Sequence, residues 1–333
     1  MRPLLLLPAL LLSATIASAQ APTFRVILPS GPGAIAVHVD DSWSFHEINL
    51  YDDGPRPSLF LTNDAQHLGA SYILFANDTS APTAESCRKA VMGPTIEGTS
   101  KQATLKNIQE STYTTPSGQT LLLTSYFIEK TQDQPIHQQN VFAFAGDEHN
   151  CAEIHVSKVS YKDSDQKLLN AVLDQFSYSE NYVPNSLDYS FIATMYFNQA
   201  HNPKAAAPYY EAALVTIPKE GVAGIDPLSM RRILTDQLSM AYGISGNLAK
   251  SRAVIEAAIA KDPLYPLYYY NLACADAEEG NAAAARTHLE QAYARRANIL
   301  KGETMPDASK DDSFLKLKSD KVFWAFVQSL PKN

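Results

Sequence analysis

No run of residues beyond position 19 approaches the ~18 uncharged apolar side chains that a membrane-crossing helix requires. Positive charge is also scarce: 27 Lys and Arg against 35 Asp and Glu leave a net charge of −8. Without a basic cluster to neutralise phosphates, nucleic acid and anionic membrane are poor partners. The common signatures of chemistry are missing too. Gly31-Pro32-Gly33 has neither the Lys of a phosphate loop nor the third Gly of a dinucleotide fingerprint. There is no Gly-x-Ser-x-Gly elbow and no His-Glu-x-x-His pair. His38 and Asp40 share a strand face, with Asp41 and His46 close by, a spacing that a metal could use but that a solvated strand face explains first. Asp147, Glu148 and His149 read as a polar turn. No catalytic residue, cofactor or resident metal is expected.

What is present begins with a leader. Arg2 precedes an apolar run from Leu4 to Leu12, and Ala17-Ser18-Ala19 offers a small-residue site cut before Gln20. Residues 1–19 are therefore expected to be a signal peptide, and the protein to be exported, periplasmic or secreted. Export permits disulfides, and the chain has three cysteines, Cys87, Cys151 and Cys274. Cys87 and Cys151 are the candidate pair, although Cys151 is one residue out of phase with the apolar row Ala152, Ile154 and Val156. Two buried free thiols are the alternative. Asn77-Asp78-Thr79 is a glycosylation acceptor only in a eukaryotic secretory route.

In the second half, Gly246-Asn247 returns 34 residues later as Gly280-Asn281, each pair between two stretches of helical period. Gly suits the left-handed turn that closes one helix, and Asn caps the next. Asn202-Pro203 reads as a third cap. Asn202 to Asn247 and Pro218 to Pro263 are both 45 residues, so an insert of 11 is expected around Lys219–Leu228. Small residues such as Ala273, Ala285 and Ala292 alternate with large ones such as Tyr269, Leu272 and Leu289. This pattern resembles the tetratricopeptide repeat family, whose period is ~34 residues. The segment Asp312-Ser313-Phe314 to Val322-Phe323 resembles the closing segment of bacterial arrays of that family. It places Phe314, Leu317, Phe323, Trp324 and Val327 in a helical lid.

The resemblance implies units at about 186–218, 232–263 and 266–297, with a capping segment at 311–330, in a domain spanning 186–330. It further implies a groove for an unknown protein or peptide partner, lined by Phe197 of the first unit. Asp236, Met240 and Ile244 of the second and Tyr270, Asn271 and Glu278 of the third complete the lining. Ser190, Thr194, Ile233 and Gln237 stand where some members carry a carboxylate clamp, which disfavours one here.

Between 22 and 180 the period shifts toward 2, with eight candidate strands from Phe24 to Val156. Helices are expected at Thr83–Met92 and Ser164–Phe176, the second behind a capping box of Asp163 and Gln166. The fold class is thus an α+β domain with a mostly antiparallel sheet and two helices, followed by an all-α superhelix. The order of elements looks like that of PsbP-like domains. Together these features describe an exported, non-enzymatic interaction or assembly protein of the cell envelope. The alternative is an enzymatic or small-ligand-binding N-terminal domain that the repeats localise.

Overall fold

A computed structural model describes residues 23–38, 40–49, 58–76, 83–101, 103–131 and 134–331. The leader segment and Asn77-Asp78-Thr79 lie outside them. Antiparallel sheets come first in the chain and a run of helices follows. Two compact units divide at Thr216/Ile217.

The strands are β1 (Thr23–Val26), β2 (Ala34–His38), β3 (Ser44–Asn49), β4 (Ser58–Asn63), β5 (Leu68–Ala76), β6 (Ala103–Thr114), β7 (Thr120–Thr131), β8 (Gln134–Gly146), β9 (Asn150–Lys158) and β10 (Ser177–Ser179). They form a seven-stranded sheet of order β3-β4-β5-β9-β8-β7-β6 and a three-stranded sheet of order β1-β2-β10. Every pairing is antiparallel. Two helices flank the large sheet, α1 (Ala84–Ser100) and α2 (Gln166–Asp174). Helix α1 extends well past the expected Met92 and carries Pro94 within it. Helix α2 is preceded by a 3-10 turn, and its box forms elsewhere than expected: the Lys162 amide donates to Asp165 (3.0 Å) in place of the Asp163–Gln166 pair.

Strand β9 is buried along almost its whole length, on both faces. The row Ala152, Ile154 and Val156 is sealed from solvent. Cys151 belongs to the opposite row and packs in one apolar cluster with Cys87, Met92, Phe75 and Phe144. Its phase is what aims it at α1, and Cys87 and Cys151 are joined there by a disulfide with a Cα–Cα distance of 5.5 Å.

The sheet-bearing unit contains the first two helices of the helical run, α3 (Ser186–Thr194) and α4 (Pro203–Val215). The unit boundary therefore falls after the helical pair expected to open the second domain, and not at residues 181–185. Phe191 stacks on Phe24 of β1 (5.1 Å), Arg25 pairs with Asp188 (3.4 Å) and lies over the Tyr182 ring (4.8 Å). The buried Tyr209 hydroxyl donates to the Ile27 carbonyl (3.1 Å). The stacked ring on β1 and the buried Tyr209 beside Ile27 bind this pair to the sheet.

The other unit, from Ile217 on, holds α5 (Pro227–Ile244), α6 (Leu248–Ile259), α7 (Pro266–Glu278) and α8 (Ala282–Ala294). Two shorter helices, α9 (Asp312–Leu315) and α10 (Lys321–Ser329), close it. The α5–α6 and α7–α8 corners repeat each other closely. Gly246 (φ +80°) and Gly280 (φ +77°) take the left-handed conformation that a Cβ disfavours. The Asn247 amide donates to Tyr242 O and the Asn281 amide to Asp276 O, both at 2.8 Å. Each Asn side chain then caps the next helix. The insert is a tight loop bridged between Val222 and Ile225, and Asp226 caps α5 with Pro227 as its first residue. Helix α5 thus starts five residues before the expected 232, because Pro without an amide hydrogen is at home in a first turn. Phe314, Leu317, Phe323 and Val327 are buried, and Trp324 is half-buried.

A Cβ added at Gly146 would lie 2.8 Å from Cys87 Sγ and 3.3 Å from the Ala84 amide nitrogen. Gly146→Ala is expected to push α1 off the sheet and lower stability by about 1–3 kcal/mol, read from denaturant unfolding. Cys87→Ala with Cys151→Ala should cost about 4 kcal/mol for a loop of 64 residues.

Candidate interaction face of the helical unit

The groove residues on α5 recur one turn apart, and on α7 the adjacent Tyr270 and Asn271 are followed two turns later by Glu278, so each helix presents them along one side. On α5 the stripe grades from buried to open: Asp236 is 8% exposed, Met240 is half-buried and Ile244 is 56% exposed. On α7, Tyr270 is buried, while Asn271 and Glu278 are half-buried. Asn271 Nδ2 donates to Asp236 Oδ1 at 2.9 Å, tying the two stripes together. Phe197 belongs to the sheet-bearing unit, in a π-helical turn at Met195–Gln199, where its ring meets Tyr210 edge-on at 6.4 Å.

The α7 stripe is covered by the chain's own segment between α8 and α10. Tyr270 donates its hydroxyl to Asp311 Oδ2 (3.0 Å), and its ring meets Phe314 of α9 edge-on at 5.5 Å. Cys274 Sγ lies 3.9 Å from the same carboxylate, and Lys316 pairs with Glu278. Earlier in the segment, the Tyr265 hydroxyl meets both oxygens of Glu303 (3.0 and 2.9 Å), and Met305 and Ala308 are buried. The lid expected over the end of the array therefore also occupies the face expected to receive a partner. The physical reason is local. Tyr270 and Tyr265 are large apolar bodies with hydroxyl tips, and a nearby acidic segment satisfies both parts.

Carboxyl groups dominate the polar side of this contact. Burial holds Asp236 far above the ordinary carboxylate range, up to about 7; the charge of Glu303 adds to this, and the Asn271 hydrogen bond partly offsets it. Burial also raises Asp311, against the opposing effect of hydrogen bonds from Ser313 and Tyr270. Arg232 does not neutralise Asp236: its guanidinium binds Asp262 through two bonds (2.6 and 2.9 Å) and lies over Tyr265. A separate buried carboxylate, Asp276, joins three helices. It accepts from Arg252 of α6 (2.8 Å) and lies 2.5 Å from His288 Nδ1 of α8.

In the sheet-bearing unit, Asp40 forms a turn. It accepts from the Ser42 amide (2.8 Å) and hydroxyl, and the hydroxyl bond is the main cause of its lowered pKa. The side chain of His46 is outside the described residues. Asp147 likewise shapes the β8–β9 turn, accepting from the amides of His149 (2.6 Å) and Asn150 (3.0 Å) and from Tyr178. Among the described residues, no three His, Cys, Asp or Glu side chains are grouped to hold a metal. No described helix is long and apolar enough to cross a membrane.

The covered and open ends of the stripe should respond differently to substitution. Tyr270→Phe leaves Asp311 short of a buried donor and is expected to cost about 1–3 kcal/mol in denaturant unfolding. Ile244→Lys should stay within about 0.5 kcal/mol of the parent.

No family model matches this chain. No curated protein matches it either. Among solved structures, it is similar to BtubC (BKLC) from P. vanneervenii, with 18% identity over 44% of this chain and 59% of that one, at a TM-score of 0.32. It is also similar to a multi-domain immunophilin from Arabidopsis thaliana, with 9% identity over 74% of this chain and 99% of that one, at a TM-score of 0.28. At these TM-scores neither likeness bears on function.

Proposed function

We propose that this is an exported, non-enzymatic tetratricopeptide-repeat protein that mediates protein–protein interaction or assembly in the cell envelope. The observation that carries the reading is the repeated corner. Two helical hairpins 34 residues apart close with the same left-handed Gly, the same amide bond and the same Asn cap. On this reading α3–α4 is the first unit, absorbed into the packing of the sheet, and α9 and α10 are the capping segment. The leader pattern at 1–19 and the Cys87–Cys151 bond support export to an oxidising compartment.

The partner is a protein or peptide that engages the open end of the α5 stripe, where Ile244 is exposed beside the half-buried Met240. An apolar peptide, extended or helical, suits that lining. The experiment is affinity capture from an envelope extract with the full chain, repeated with Met240→Lys plus Ile244→Lys. Specifically retained proteins should drop by about tenfold or more, as expected when a buried apolar contact is replaced by charge. Unchanged capture would remove this face as the binding site. Cell fractionation with N-terminal sequencing tests export: a mature protein beginning at Gln20 outside the cytoplasm is expected, and an intact cytoplasmic chain would overturn it.

A further inference from the structure

We draw no further inference here: the strongest candidate, the mostly apolar cleft between α3, α4 and the β1–β2 loop lined by Pro29, Tyr189, Pro208, Ala212 and Val215, is an open face, and nothing in the structure shows what covers it.

Discussion

A helix that ends inside a packed unit leaves carbonyl groups pointing along its axis with no turn above them to satisfy them, and the next helix begins with amides in the same condition. The helical unit meets both demands in two residues. Gly takes the left-handed turn that returns an amide to the carbonyl five residues back, and Asn turns its side chain onto the following helix. Because the connection is so short, the paired helices are close, and closeness fixes what can lie between them. Ala273, Ala285 and Ala292 are fully buried where Leu289 and Ile255 need room. Where a polar pair falls in the seam, as with Ser239 and Ser251, the two hydroxyls meet at 2.8 Å. The stripes on α5 and α7 follow from the same spacing.

The repeat was legible in the sequence because its rules are local. Gly, Asn and Pro act through their own backbone geometry, so their positions announce the corners without knowledge of tertiary contacts. The lid residues were legible too, since an apolar periodic stretch after the last unit must cover something. What local rules could not show is where a side chain's partner comes from. Tyr270 sits at a groove position by spacing alone, yet its burial depends on Asp311 and Phe314, about forty residues later. Likewise, nothing within Ser186–Val215 says that Phe24 and Ile27 will claim the first helical pair.

The sheet illustrates the same division. Strands with one or both faces buried were readable from their apolar rows. Strand β6 has no such row: every residue from Ala103 to Thr114 is exposed or half-buried, with a left-handed Asn107 at the break in its pairing with β7. An edge strand with little burial leaves no hydrophobic rhythm, and an irregularity of this kind protects an open edge from wrong pairing. Helix α1 ran past its expected end because Gly93 and Pro94 favour a stop, and packing of its face on β7 and β8 overrode them.

Strand β9 is enclosed from above and below, so it lacks the usual distinction between an inner and an outer surface that tells a strand which way to present itself. The sulfur bridge supplies that distinction covalently. Once Cys151 is bound to α1, a slip of one position is impossible without tearing the helix away, and the rows carried by the neighbouring strands inherit their phase from that one anchored residue.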